Sequence, residues 1–465
     1  MEKHTVAIIG GGPGGYAAAI RLQQYGIDCV VFEKERLGGV CLNWGCIPTK
    51  ALVKVADLFS ELHRVEEFGL ALENPSFDYA KIYERKNQVV EKLVSGLEFL
   101  FKKRQIPVIK ESVKVIEKSG ESYLISTENE SIQASYVIIA TGSKPKELPS
   151  FKIDGMNILS SKDVLKLQEL PKHLCIVGGG VIGCEFATIF AQLDVEVQII
   201  EFLPRLISTE DEEISKRLAM ALKKTGIKIN LNTAVENWKS VNSELHLSLS
   251  NGKEITTDKV LLSVGRDPVF DIECKNFDMN MERNALSINN NFETNHQNIF
   301  AIGDVTAKMM LAHTASKQGL LTAEIIKNRI VGTDEKNDAL CYENIPRCTF
   351  TNPEIGSVGL TEAQAKEKYK EILIGKFPFS ANGKALGLGE TFGFVKTIAD
   401  AQSKKLVGMH IIGPQATELI AEGGILIQSE MTINEALKIV FAHPTLSEAV
   451  AESIEDIEKM SINSM

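Results

Sequence analysis

Two short glycine-rich turns limit the folds open to this chain. The apolar run Thr5 to Ile9 leads directly into Gly10-Gly11-Gly12-Pro13-Gly14-Gly15, Tyr16 to Gly26 has helical spacing, and a second apolar run, Asp28 to Phe32, ends at Glu33. This is a β-turn-α-β order in which Gly10 makes the tight turn, Gly12 lets backbone approach a pyrophosphate, and Gly15 allows helix and strand to pack closely. Glu33, 23 positions after Gly10, is spaced to accept from ribose hydroxyls. The pattern recurs: Leu174 to Val177 leads into Gly178-Gly179-Gly180-Val181-Ile182-Gly183, Val195 to Ile200 ends at Glu201, and the interval from Gly178 to Glu201 is again 23. One such match is weak evidence. Two with equal spacing predict two dinucleotide-binding units, hence an α/β fold with two Rossmann-like domains. A carboxylate at Glu201 bonds a 2′-hydroxyl and repels a 2′-phosphate, which points to NAD, although Arg205 stands nearby.

Between the turns lies Gly39-Val40-Cys41-Leu42-Asn43-Trp44-Gly45-Cys46-Ile47-Pro48-Thr49-Lys50. On a regular helix, Cα atoms five residues apart are roughly 8 to 9 Å from each other, whereas a disulfide needs less than about 7 Å. Bonding Cys41 to Cys46 therefore requires a break in the backbone, which Gly45 permits. Pro48 fits the first turn of a helix and so places Cys46 near a helix N-terminus, where the dipole favours a thiolate. Two other readings are a zinc half-site and a pair of buried thiols. Zinc sites need a second close pair, and Cys29, Cys175, Cys184, Cys274, Cys341 and Cys348 provide none. The stretch reads as a redox-active dithiol, with no metal site.

With 465 residues the chain exceeds what one core holds, so several domains are expected. A net charge of -10 argues against a nucleic-acid groove or an anionic membrane surface. The N-terminal apolar run is too short for a signal-peptide core, and no run approaches 18 apolar residues; a cytoplasmic location is expected. There a cysteine pair that does bond is catalytic or regulatory rather than structural.

Ala51 to Gly69 and Phe77 to Gln105 read as helices, and Val108 to Ile139 as an inserted β-meander closing on Ala140-Thr141-Gly142. That Thr-Gly suits a plain turn as well as a cofactor contact. Strands over Lys259 to Val264 and Asn298 to Ile302 end in Gly265-Arg266 and Gly303-Asp304. Asp304 can accept from a sugar hydroxyl or cap a helix over Met310 to Ile330. A polar linker is expected over Gly332 to Asn337. Beyond it, strands at Pro346 to Phe350, Glu371 to Phe377, Gly393 to Ile398 and Leu406 to Ile412 alternate with helices, and Thr361 to Gln364 and Thr432 to Glu435 have capping-box spacing. This part reads as a separate α+β domain. The predicted division is 1–145 with the first glycine turn, 146–264 with the second, 265–337, and 338–465 for the α+β domain.

A dithiol behind one dinucleotide fold and ahead of another resembles the flavin-dependent pyridine nucleotide-disulfide oxidoreductases. The likeness is carried by Gly38 to Lys50, by Asn352-Pro353-Glu354-Ile355-Gly356-Ser357-Val358-Gly359-Leu360-Thr361, and by Ala442-His443-Pro444-Thr445-Leu446-Ser447-Glu448. It covers nearly the whole chain and is strongest toward the branch that oxidises protein-bound dihydrolipoamide. The resemblance implies FAD on the first unit, through Gly10, Gly12, Gly14, Gly15, Glu33, Lys34, Gly39, Val40, Cys41, Lys50, Ala140, Thr141, Gly142 and Asp304, with Leu311, Ala312 and His313 near the flavin edge. It implies NAD on the second, through Gly178, Gly180, Val181, Ile182, Gly183, Glu201, Val235 and Gly265. Lys50 would lie near flavin N5 paired with Glu185.

His443, oriented by Glu448, would be the base for substrate thiols, acting across the interface of a homodimer. From the local residues alone, His443 equally suits a turn and Thr445 to Glu448 a capping box. The lipoyl arm would come from a 2-oxoacid dehydrogenase acyltransferase or a glycine-cleavage carrier protein. The competing activities are an NADPH-dependent reductase of glutathione or another small disulfide, which Glu201 opposes, and a silent scaffold, which would not need both cysteines and the His-Glu pair.

Overall fold

The computed structural model describes residues 2–149, 151–242, 244–333 and 340–463. The segment expected as a linker, 332–337, lies outside the described residues from 334 onward. The chain packs as two units. One is Met1–Ala51, Tyr83–Lys146 and Gly265–Leu340; the other is Leu52–Ile82, Glu147–Val264 and Cys341–Met465.

In the first unit the strand Glu2–Ile9 runs parallel to Cys29–Phe32 on one side and to Ser131–Ile139 on the other. Val6, Ala7 and Ile8 are fully buried, as expected for a parallel strand covered on both faces, and this is why the sequence there is an unbroken apolar run. Val108–Ile109 extends the parallel sheet beyond Cys29–Phe32, and Ile299–Ala301 pairs with Ser131–Ile139. The predicted meander is therefore shorter than expected. It comprises Val115–Ser119, Ser122–Ser126 and Ser131–Ile139 in antiparallel pairing, and the last of these also belongs to the parallel sheet.

The second unit carries its own parallel sheet, in the order Lys228–Asn230, Glu196–Ile200, His173–Val177, Lys259–Leu262, Ile158–Leu159. A three-stranded antiparallel sheet, Val235–Val241, Glu244–Leu249 and Glu254–Thr257, is inserted in the chain between Lys228–Asn230 and Lys259–Leu262. The C-terminal part of this unit is a five-stranded antiparallel sheet, in the order Arg347–Thr349, Glu354–Gly359, Leu406–Gly413, Phe394–Asp400, Ile372–Pro378. Four of those strands match the predicted ones within a few residues; Glu354–Gly359 was not predicted as a strand. Both expected capping boxes form, Thr361 with Gln364 and Thr432 with Glu435, each contributing about 1 kcal/mol. Among the described residues no helix is long and apolar enough to cross a membrane.

Candidate active site

The two glycine turns are built alike down to individual hydrogen bonds. The Gly10 N–H donates to Phe32 O at 2.8 Å, and the Gly178 N–H to Ile200 O at 2.9 Å. One oxygen of Glu33 accepts from Gly11 N at 2.9 Å and the other from Glu35 N at 2.8 Å. Glu201 repeats the arrangement, with Gly179 N at 2.5 Å and Leu203 N at 2.7 Å. Each carboxylate thus reaches the turn from the end of the second strand, its orientation fixed by two backbone donors.

What a side chain would meet at these glycines separates packing positions from ligand positions. A Cβ on Gly15 would lie 1.8 Å from Gly10 O, and one on Gly183 2.0 Å from Gly178 O; both glycines are required by the chain itself. On Gly180 a Cβ would meet nothing within 4 Å, and on Gly12 only Gly39 Cα at 3.9 Å. These two are the N-caps of the helices Pro13–Gln24 and Val181–Gln192, and neither helix has a side-chain cap. Uncapped N–H groups facing open space at the positive end of a helix dipole are the donor set a pyrophosphate takes. The helix Ala312–Val331 likewise begins after Leu311 with no side-chain cap, so the Ala312 and His313 amides open its first turn.

Asp304 is not the cap of that helix. It lies in the turn Gly303–Thr306, accepts from Ser143 Oγ at 2.5 Å, and faces Arg266 Nε at 3.9 Å. Arg266 in turn donates to Ser143 Oγ and Ser143 O, both at 2.7 Å, so the carboxylate is held on a built support. Sequence reasoning missed Ser143 and Arg266; a basic residue directly after the strand and Gly265 was the available signal. Thr141 Oγ1 donates to Val269 O at 2.5 Å, and Gly142 adopts φ +76° with no atom near a would-be Cβ. Ala140, one residue earlier, closes the strand pairing through its N–H to Ile9 O. Lys34 and Val40 are exposed, Gly39 turns with φ +56°, and Gly14 packs against Ile302 and Ala315. Val235 is buried at the head of its strand in the second unit, while Gly265, φ +112°, falls in the first unit.

The dithiol stretch forms two helices, Gly39–Trp44 and Cys46–Leu62, broken at Gly45 with φ -140° and ψ -111°. Cys46 is therefore the first residue of its helix. Both sulfurs are thiols here. A hydrogen bond to Cys46, reinforced by burial, holds the Cys41 thiol far above its ordinary pKa. Cys46, as the first residue of its helix, has its sulfur where the helix dipole favours negative charge. Lys50, one turn further on, acts electrostatically on Cys41. Tyr16, also missed in the sequence, feels both sulfurs and hydrogen-bonds Ser316; burial and Cys41 push its phenol up.

In the second unit, His443 Nδ1 lies 2.8 Å from Glu448 Oε1, with the imidazole 79% exposed. The other Glu448 oxygen accepts from Thr445 N at 2.8 Å. The capping box expected there is only half formed, since Thr445 Oγ1 donates to Ala442 O and Ser447, the N-cap, makes no side-chain cap. Glu185, 5% exposed, accepts from Phe350 N at 2.9 Å.

Residues 4–319 match the family model of the pyridine nucleotide-disulphide oxidoreductases, and residues 345–454 match the dimerisation domain of the same family. The chain belongs to this family. Among relatives of pyridine nucleotide-disulphide oxidoreductase type, a dihydrolipoyl dehydrogenase of Bacillus subtilis is 40% identical over 97% of this chain and 98% of its own length. A dihydrolipoyl dehydrogenase of Zymomonas mobilis is 38% identical over 98% of each, and a mitochondrial one of Pisum sativum is 38% identical over 97% of this chain and 91% of its own. Among solved structures, the HOCl-induced flavoprotein disulfide reductase RclA of Escherichia coli has a TM-score of 0.84 at 27% identity, covering 97% of this chain and 99% of that one. LpdA of Mycobacterium tuberculosis has a TM-score of 0.88 at 22% identity, covering 98% and 99%, and shares the fold. As a member of this family the chain uses FAD and NAD and has a dimerisation domain at its C-terminal end, which supports a homodimer. The uncapped helices behind Gly12 and Gly180 fit those two dinucleotides.

Proposed function

We propose that the chain is a flavoprotein disulfide oxidoreductase that oxidises protein-bound dihydrolipoamide to lipoamide with NAD as acceptor. The observation that carries this reading is the Cys41–Cys46 pair, set across the Gly45 break with one sulfur on a helix N-terminus. The dihydrolipoyl dehydrogenases that match over nearly the full length support the substrate. The domain division proposed with it is 1–145 and 265–337 for FAD, 146–264 for NAD and 338–465 for dimerisation.

A substrate thiol reacts only as thiolate, and a free thiol has a reference pKa of about 8.5. His443 has Nδ1 engaged by Glu448, leaving Nε2 to take that proton. The substrate sulfur then attacks Cys41 Sγ of the oxidised pair; the S–S bond breaks and Cys46 leaves as thiolate. The second substrate thiol then attacks the mixed disulfide at the substrate sulfur as its proton passes to the departing Cys41 sulfur; lipoamide closes, Cys41 is left as thiol, and His443 keeps the first proton as imidazolium until it is released to solvent. Substrate loses two electrons and the protein pair gains them. When bound, FAD supplies the two-electron relay from the dithiol to the nicotinamide.

The exposure of His443 suits a base that serves its dithiol across the homodimer interface, and Lys50 and Glu185 are proposed as the charge pair beside the flavin. The lipoyl arm is proposed to come from an acyltransferase of a 2-oxoacid dehydrogenase or from a glycine-cleavage carrier, and the location to be cytoplasmic. An NADPH-dependent reductase of small disulfides has Glu201 against it. Anaerobic titration with dihydrolipoamide tests the reading: a long-wavelength thiolate-flavin absorbance is expected, and its absence together with wild-type turnover by Cys46→Ser would overturn it.

A further inference from the structure

The loop joining Glu201 to the helix Glu212–Lys224 is fastened at its far end by a group of charges centred on the buried Lys396, Asp211 and Glu210. Lys396 Nζ, with its side chain 0% exposed, lies 3.0 Å from Asp211 Oδ1, 2.8 Å from Glu213 Oε2 and 2.6 Å from Glu362 Oε2. Arg347 Nε lies 3.0 Å from Glu210 Oε1, and Glu210 is 2% exposed. The other Asp211 oxygen accepts from Glu362 N at 3.0 Å. Lys396, Arg347 and Glu362 all belong to the C-terminal sheet and its first helix, so one end of the loop is attached to that layer.

The other end of the loop is attached to the glycine turn. Glu210 N donates to Ile207 O at 2.9 Å, and Ile207 N donates to Gly179 O at 2.8 Å. Glu201 accepts from the N–H of the same Gly179, so that residue is held on both its polar groups. Ile207 does this in the left-handed region, φ +38°, which is unfavourable for a β-branched residue. The corresponding donor in the first unit, to Gly11 O, is the N–H of Gly38. A conformation that glycine adopts freely is thus imposed on isoleucine, whose side chain is anchored in the apolar core, and the structure around the loop holds the backbone there.

Stability alone does not explain the charges. Burying ions costs several kcal/mol each, and apolar replacements of a buried ion group are often neutral or stabilising. Ion pairs do fix direction. We propose that Lys396 with Asp211, Glu213 and Glu362, together with Arg347 on Glu210, forms a positioning clamp for the NAD site, holding the 202–211 loop so that Ile207 and Glu201 fix the Gly179 turn and the ribose carboxylate. This rests on the reading that the second glycine turn binds NAD.

The test uses the FAD-loaded enzyme and the variants Arg347→Met, Arg347→Lys and Lys396→Met. The double variant R347M/E210Q separates lost positioning from an uncompensated buried carboxylate. Steady-state KM for NAD and NADH binding are measured beside FAD content and the anaerobic half-reaction with dihydrolipoamide. Arg347→Met and the double variant are expected to raise KM for NAD about fivefold or more, with FAD content and the half-reaction within about twofold of wild type; Arg347→Lys restores part of the loss. Folded, FAD-loaded Arg347→Met with unchanged KM for NAD, while Glu201→Ala raises it, overturns the clamp alone. Unchanged KM in Glu201→Ala overturns the NAD assignment beneath it.

Discussion

Glu448 takes the His443 imidazole with one oxygen and the Thr445 N–H with the other, both at 2.8 Å. Burial pushes its carboxyl up, but those two donors outweigh burial and hold it below its usual range. A lowered folded pKa means the interaction is present above the unfolded value and lost as pH falls through the folded one. The carboxylate therefore stays ionised across the neutral range, and a neutral-pH limb in kcat/KM for dihydrolipoamide belongs to another group. Glu448→Gln is expected to lower kcat about 10- to 100-fold and to move that limb, while His443→Gln costs roughly 100- to 1000-fold; pH–rate profiles of both check this.

The Gly45 break sets the two sulfurs apart in role. Cys41→Ser and Cys46→Ser are each expected to lower NAD reduction by dihydrolipoamide by about 1000-fold or more, since either loss removes the disulfide. Cys41→Ser, which spares the sulfur at the helix N-terminus, is expected to keep a long-wavelength flavin band, and Cys46→Ser to lose it. Absorbance spectra over a pH range distinguish the two.

Gly180 and Gly183 are three residues apart and fail differently. Gly183→Ala would set a Cβ 2.0 Å from Gly178 O, so a fall in melting temperature of several degrees is expected. Gly180→Ala meets nothing within 4 Å and is expected to melt within a degree of wild type while binding NADH about tenfold more weakly. Differential scanning calorimetry and fluorescence titration give the two readouts.

Glu354 offers a stability test away from the chemistry. Burial, together with Asp57 and Glu418, raises its carboxyl above the usual range despite two bonds from Thr417. A raised folded pKa gives stability that is full below the unfolded value and lost as pH rises through the folded one. Glu354→Gln keeps the acceptor and removes that loss. It is expected to melt higher than wild type at pH 8 and no higher at pH 4.5, by thermal scans at both values.

Parts of this architecture could be read before any coordinates, because they depend on local rules. The glycine spacing, the break at Gly45, the two capping boxes and four of the five C-terminal strands follow from steric requirements, helix termini and alternation that act within a few residues. The support of Asp304 by Ser143 and Arg266 joins positions more than a hundred residues apart, and nothing in either local stretch announces it. Tyr16 was missed for a similar reason, since it lies inside a helix whose glycines explained the pattern already. Glu354–Gly359 went unpredicted because a strand buried on both sides with two glycines shows no alternation.

The left-handed corner at Ile207 also bears on how such an enzyme can change. If its shape is imposed from Arg347 and Lys396, substitutions in a distant sheet would retune nucleotide preference with every group that meets the nucleotide left intact. Drift at those two positions would then be a quiet route to new coenzyme use, and anyone transplanting this nucleotide domain onto another C-terminal layer would have to carry the fastening along with it.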